Sequence, residues 1–360
     1  MTRYRPGDRG PAPQPLRIGI LGVARISGEA VVLPAQALGH RLVAVASRDR
    51  RRAEFFADLC GVERVHDSND AVLDDPDVEV VYIPQIPTLH EYWALAAIAA
   101  GKHVLCEKPL CTTAAQVERV RAAARSAGVI VHEAYHHLCH PLWDRLRELT
   151  GRGGVLGELV SVDVDLAMRA PDPDDPRRSA RLGGGALLDL GCYGLQTHHL
   201  LGAHTGAAPT VVDAASDMFP RATDPADAVD GVVRAELSYG HSTTGSMRAS
   251  ITDSDTRHRL AIVGTHARIT VDGFLLPHLG GDLTVELREG TPAGDTARYD
   301  FGLNEKLFDP PSTYTHQLDR FARLVHDGTP MPWGWTMSDS IQTLRLFDDV
   351  RTASELRPPP

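Results

Sequence analysis

No stretch of the 360-residue sequence holds the roughly 18–20 consecutive apolar residues that a membrane-spanning helix requires. Cysteine is sparse and odd in number: Cys60, Cys106, Cys111, Cys139 and Cys192 are dispersed through apolar or helical contexts. That distribution fits reduced thiols in a cytoplasm, the expected location, better than a disulfide framework. Positive charge is in deficit, 37 Lys and Arg against 47 Asp and Glu, for a net charge of -10. No nucleic-acid or membrane partner is expected on that balance, although a local basic pocket for a phosphate is compatible with it. No apolar segment precedes Leu16, so no secretory signal is expected, and residues 1–15 read as a Pro/Gly-rich disordered leader. No internal repeat is present.

What the sequence does contain is ordinary globular material, 42% hydrophobic and 23% charged, in a chain long enough for two domains. From Leu16 onward, short β-branched runs alternate with helical segments. Strands are predicted over 16–21, 41–46, 78–83, 103–106 and 129–132, with helices over 25–38, 50–59, 88–100 and 112–127. Gly101 and Gly128 stop two of those helices. This rhythm predicts βαβ units and a doubly wound parallel sheet, a Rossmann domain over 16–138.

After Leu138 the rhythm changes. A helix over 142–149, a strand over 158–167, a polar loop over 171–181 and a helix over 185–201 are followed by strands at 211–217, 231–238, 244–251, 257–263, 267–271 and 283–288. Helices over 313–326 and 338–354 close the chain. Residues 139–360 therefore read as an α+β domain with a large, mostly antiparallel open sheet, for substrate binding and oligomerisation.

The first strand-to-helix turn reads Gly19-Ile20-Leu21-Gly22-Val23-Ala24-Arg25-Ile26-Ser27. Set on the dinucleotide pattern G-x-G-x-x-G/A, it keeps Gly22 but has Ala24 and Ser27 at the next two positions. The fingerprint is weak by itself, and its place on the first strand of a βαβ repeat strengthens it. Gly22, Ala24, Arg25 and Ile26 are the candidate pyrophosphate-contacting residues. The second strand ends in Ser47-Arg48-Asp49. Where an NAD site usually places an acidic residue, Ser47 and Arg48 offer a hydroxyl and a cation, so NADP(H) is favoured over NAD(H). Arg51 and Arg52 read as a solvated first helical turn.

Glu107-Lys108-Pro109 directly follows the strand over 103–106, at the carboxyl edge where such sheets bind ligands. The string GKHVLCEKPL (101–110), with IPQIPTLHEYWALAAIAAGKHV before it and GGGALLDLGCYGLQ (183–196) after it, resembles the Gfo/Idh/MocA family. Its closest-looking branch contains glucose–fructose oxidoreductase and dihydrodiol dehydrogenase. The resemblance implies roles for Lys108, Asp189 and Tyr193, and a cis Lys108–Pro109 bond. The residues agree with it: Asp189 and Tyr193 are four apart on a predicted helix and so share a face. An unperturbed phenol titrates near ~10, and a nearby ammonium favours the phenolate. Tyr193 is then the candidate general acid/base, Lys108 the group that tunes it, and Asp189 an orienting carboxylate. His90, Glu107 and Lys108, whose ammonium can also hydrogen-bond a ribose, join the cofactor-contacting set, and the same resemblance places His90 at the nicotinamide end.

The run His132 to His140 offers His136 and His140 four apart, which suits a metal only if the segment is helical. No metal is expected; structural or substrate-lining histidines are, with Tyr135 and His136 able to reach the cleft. The expected activity is hydride transfer between NAD(P) and a carbonyl or alcohol carbon of a sugar, cyclitol or dihydrodiol-like polyhydroxylated small molecule. The expected assembly is a homodimer or homotetramer. Two alternatives stay open: a non-catalytic NADP(H)-binding sensor, and a bound-NAD redox cycle serving hydrolysis or elimination.

Overall fold

Six short apolar runs pair entirely in parallel, in the spatial order β3-β2-β1-β4-β5-β6. They are β1 (Arg17–Leu21), β2 (Arg41–Ala46), β3 (Arg64–His66), β4 (Val80–Ile83), β5 (His103–Cys106) and β6 (Val131–Glu133). The computed structural model describes residues 13–220, 224–240, 242–288, 299–300 and 312–356. Most of the expected leader, residues 1–12, lies outside them. The sheet reverses direction of winding between β1 and β4, so a crevice opens at the carboxyl ends of those two strands, the ligand position of doubly wound folds. All four residues of β4 are buried, as a strand covered on both faces by helices requires.

Helices α2 (Arg50–Cys60), α3 (Asn69–Leu73), α4 (Pro87–Ala99) and α5 (Ala114–Ala127) fill the connections, after α1 (Leu33–Leu38). Two elements escape the sequence reading. The edge strand β3 has three residues and one aliphatic side chain, and α3 is barely one turn, so neither carries a readable period. The helix expected over 25–38 instead begins as a π-type turn, Gly28–Val32, that runs into α1. Pro34 has no N–H for the carbonyl one α-turn back, which fits the wider turn ahead of it.

The second sheet has eight strands in the order β14-β13-β12-β11-β7-β10-β9-β8. Its members are β7 (Leu159–Arg169), β8 (Thr210–Phe219), β9 (Val229–Ser238), β10 (Thr244–Asp253), β11 (Arg257–Gly264), β12 (Ala267–Asp272), β13 (Asp282–Leu287) and β14 (Tyr299–Asp300). Every pairing is antiparallel except β7 with β10. The apolar face, with Val162, Val164, Leu166, Met247, Ala249, Leu260 and Ile262 buried, packs against α7 (Cys192–Thr205). Gly194 allows that contact, since a Cβ there would stand 2.6 Å from Met247 Cγ. The other face is polar and carries ion pairs of Asp165 and Asp253 with Arg248 and Arg257.

Helix α6 (Pro141–Thr150) follows the domain junction, and two further helices return to the first domain. In α8 (Thr313–Asp327), Leu318, Phe321 and Ala322 pack into the core formed by Leu16, Ile18, Ile20 and Leu105. In α9 (Met337–Ala353), Ser340 bonds to Glu133 of β6 and Asp339 to His199 of α7. Sequence position places both helices with the second domain; their side chains close the junction between the two. Among the described residues, no helix is long and apolar enough to cross a membrane.

Candidate functional site

The chain turns off β1 at Gly22, whose φ of +106° is a glycine conformation. A Cβ there would also meet Gln85 Nε2 at 2.5 Å, the amide that donates to the Leu21 carbonyl. The two departures from the glycine pattern are accommodated locally. Ser27 is buried and its hydroxyl accepts from Ala24 N–H at 3.3 Å, while Ser27 N–H donates to the Ala24 carbonyl at 3.1 Å. Ile26 packs on the core and Arg25 points out, 4.0 Å from Asp175 of the second domain.

At the tip of β2, Ser47, Arg48, Asp49 and Arg52 line an open hollow of about 400 Å³. The Asp49 carboxylate is engaged as the cap of α2, accepting from Arg51 N–H at 3.0 Å and Arg52 N–H at 3.3 Å. The acid nearest the strand tip is thus turned to its own helix, and the hollow keeps a hydroxyl and two guanidinium groups. Arg52, read from sequence as a solvated residue of the first helical turn, is exposed and also borders this hollow.

At the other end of the crevice β5 runs into Glu107, which accepts from the Tyr82 hydroxyl at 2.8 Å and whose N–H donates to Ile83 O at 3.0 Å. Burial pushes its carboxyl up, with Tyr82 and Lys108 opposing. The Lys108–Pro109 bond is cis. Lys108 Nζ donates to the backbone carbonyl of Asp189 at 2.6 Å and to its carboxylate at 3.0 Å, across the two domains. Burial disfavours the ammonium, but Asp189 outweighs it and keeps the lysine above its ordinary range. Burial likewise opposes the Asp189 carboxylate. Lys108 and Arg177, whose Nε stands 2.7 Å from Oδ2, overcome it and hold that acid at about 2.

Asp189 lies in a π-type turn, Leu187–Gly191, that leads into α7, so the helix expected over 185–201 is regular only from Cys192. Tyr193 nevertheless emerges beside Asp189. Lys108 Nζ lies 4.7 Å from the centre of its ring, over the face and not at the hydroxyl. The hydroxyl meets His136 Nε2 at 3.3 Å. The lowering of the phenol by Lys108 that the sequence suggested does not hold: burial raises it well above its ordinary pKa, and Tyr314 and Cys192 act in the same direction, so Tyr193 is a neutral acid here.

His90 is fully buried with both ring nitrogens against backbone carbonyls, Pro109 O at 2.8 Å and Gln85 O at 2.7 Å. It joins the loops that carry Gln85 and Lys108, and its nitrogens are occupied by them. The run 132–140 is not an α-helix: β6 is followed by a 3-10 turn, His136–Cys139, so His136 and His140 do not share a helical face. Among the described residues no group of three or more His, Cys, Asp and Glu is placed to hold a metal ion. Arg177 and Thr313, which contact Asp189 and His136, were not singled out by sequence: Arg177 lies in the polar loop over 171–181, and Thr313 is only the first residue of the helix predicted over 313–326.

Residues 16–135 match the GFO_IDH_MocA oxidoreductase family with its NAD-binding Rossmann fold, and residues 143–270 match the GFO/IDH/MocA C-terminal domain. The chain is 32% identical over 344 residues to D-xylose 1-dehydrogenase (NADP(+)) 2 of Haloferax volcanii, spanning 94% of this chain and 98% of the relative. It is 31% identical over 354 residues to dTDP-3,4-didehydro-2,6-dideoxy-alpha-D-glucose 3-reductase of Streptomyces violaceoruber, spanning 95% and 96% respectively. The crystal structure of a 3-ketoreductase from Actinomadura kijaniata with NADP and TDP-benzene superposes with a TM-score of 0.79 at 28% identity, over 94% of this chain and 98% of that one. The chain belongs to the GFO/IDH/MocA family and is a nicotinamide-dependent oxidoreductase.

Proposed function

We propose that this enzyme oxidises a secondary or anomeric hydroxyl of a sugar, or reduces the matching carbonyl, with NADP(H) as cofactor and Tyr193 as general acid/base. The observation that supports the reading is the Lys108–Asp189 contact, which joins the segment after β5 to the turn that leads into α7, the segment that also carries Tyr193. When bound, the nicotinamide supplies or accepts the hydride. Tyr193, a neutral buried phenol, gives its proton to the substrate oxygen in reduction and recovers it in oxidation. Lys108, fixed by Asp189, presents a permanent positive charge where oxygen gains negative charge. In a site shielded from water such a charge acts more strongly than in bulk. Asp189 keeps the lysine in place and is itself steadied by Arg177.

The residues present fit a dinucleotide: Gly22 opens the turn, and Ser47, Arg48 and Arg52 surround the hollow at the strand tip. The use of Asp49 as a helix cap leaves that hollow suited to a 2′-phosphate, which supports NADP(H) over NAD(H). Thermal shift with each cofactor tests this directly, since a ligand of the native state raises its melting temperature. A larger shift with NAD(+) overturns the preference. Turnover is tested by NADPH formation over a panel of D-xylose and other aldoses, with Tyr193→Phe as the control. Full activity of that variant on a panel substrate overturns the role of Tyr193.

A further inference from the structure

His136 stands at the domain junction with each ring nitrogen against a group from a different element. Nε2 lies 3.3 Å from the Tyr193 hydroxyl, and Nδ1 lies 2.9 Å from Thr313 Oγ1 at the start of α8. The ring is buried and lies 4.1 Å from the Tyr314 ring, which leaves it no room to swing away. Thr313 is itself fully buried, with its N–H on His278 Nδ1 at 3.4 Å. Burial disfavours a charge on His136, and His137, Lys108, His278 and His258 disfavour it further, so the resting imidazole is neutral.

A neutral imidazole has one donor and one acceptor nitrogen. The Tyr193 and Thr313 hydroxyls can each donate or accept; with the Tyr193 hydroxyl donating to Nε2, the ring proton sits on Nδ1 and is donated to Thr313. We infer that His136 is the proton partner of Tyr193: it takes the phenol's proton at Nε2 as the substrate hydroxyl passes its own proton to the Tyr193 oxygen. The inference rests on the reading of Tyr193 as general acid/base. The step balances. The substrate O–H bond breaks and a Tyr193 O–H bond forms, the former Tyr193 O–H bond breaks and an Nε2–H bond forms, and the hydride leaves with its electron pair to the oxidised nicotinamide; the ring becomes an imidazolium, and the positive charge it gains is the one the nicotinamide loses, which offsets the cost of charging a buried ring. In reduction each transfer runs backward. His136 acts through Tyr193 and is a positioning residue, with Thr313 setting its tautomer.

Long-range proton–nitrogen NMR of the histidine rings, on enzyme saturated with NADP(+), reads the tautomer without need of a substrate. The His136 signals are identified by their loss in His136→Gln. The expected result is a neutral ring protonated on Nδ1, whose Nε2 resonance moves when Tyr193→Phe removes its donor. A ring protonated on Nε2, or one indifferent to Tyr193→Phe, overturns the inference. In turnover on an aldose from the panel, His136→Gln is expected to slow the chemical step at least ~10-fold. KM and cofactor affinity are expected to hold, and added imidazole to restore part of the rate to His136→Ala. Full activity of His136→Gln beside a crippled Tyr193→Phe sinks this inference alone; full activity of Tyr193→Phe sinks the reading beneath it.

Discussion

Glu133 ties three parts of the catalytic end together, and its ionisation makes a measurable prediction. It ends β6, accepts from Leu110 N–H at 2.8 Å on the loop just after the cis peptide, and accepts from the Ser340 hydroxyl of α9. Burial pushes its carboxyl up to about 7 from an ordinary 4.5, against the pull of Ser340, Leu110, Tyr135 and Lys108. Below pH 4.5 the folded and unfolded chains both hold this proton, and its full contribution to stability is present. As pH climbs toward 7 the unfolded chain releases the proton while the folded chain retains it, so stability falls. The total across that window is about 3 kcal/mol at most. Glutamine keeps an acceptor for Leu110 N–H and an amide for Ser340 but cannot ionise. Relative to wild type, Glu133→Gln is therefore expected to gain stability steadily between pH 4.5 and 7. In a chain of this length the gain amounts to roughly 5 °C of melting temperature. Differential scanning fluorimetry of both proteins over a pH series measures it, because the titrations they share cancel in the difference. Parallel curves, or a gap that narrows as pH rises, would refute the reasoning.

Other consequences follow from single contacts. Lys108→Met removes the cation that faces Asp189 and that the proposed mechanism sets near the reacting oxygen; a loss of ~10²–10³ in kcat is expected, with NADP(+) affinity nearly unchanged in a thermal-shift titration. A wild-type kcat in that variant counts against the site. Arg48→Ala, at the hollow beyond β2, is expected to weaken NADP(H) binding about tenfold, the scale of one charge-assisted bond, while sparing NAD(H). Equal loss for both cofactors would place Arg48 elsewhere in recognition. Gly194→Val drives a side chain into Met247, where a Cβ alone would stand at 2.6 Å. A cost of roughly 1–3 kcal/mol from overpacking is expected by denaturant titration, and an unchanged midpoint would show that α7 is free to shift off the sheet.

Much of the site was legible because chemistry and local pattern coincide in the chain. Glu107-Lys108-Pro109 follows a β-branched run, so its place at a strand's carboxyl edge comes with the strand itself. Asp189 and Tyr193 lie four apart where small and apolar residues favour a helix, and the π-type turn between them still leaves both at the crevice. Ser47 and Arg48 stand at the end of β2 for the same reason. The parts that escaped have no local signature. Arg177 sits in a polar loop with Arg178 and Arg181 nearby, and only folding places its Nε on Asp189. His90 was expected at the cofactor by family resemblance, and folding sets both its ring nitrogens against backbone carbonyls.

Family resemblance singled out Lys108, Asp189 and Tyr193, while the sequence by itself determined the alternation of strands and helices and the second sheet with its tight turns. Such features are written in side-chain period and in residue chemistry over a few neighbours. The tertiary structure decided which groups meet. It set Lys108 over the face of Tyr193, gave the phenol hydroxyl to His136, and returned α8 and α9 to the junction from the far end of the chain. Those contacts join residues tens to hundreds of positions apart, and their geometry follows from how two sheets and their helices pack, which no local pattern encodes.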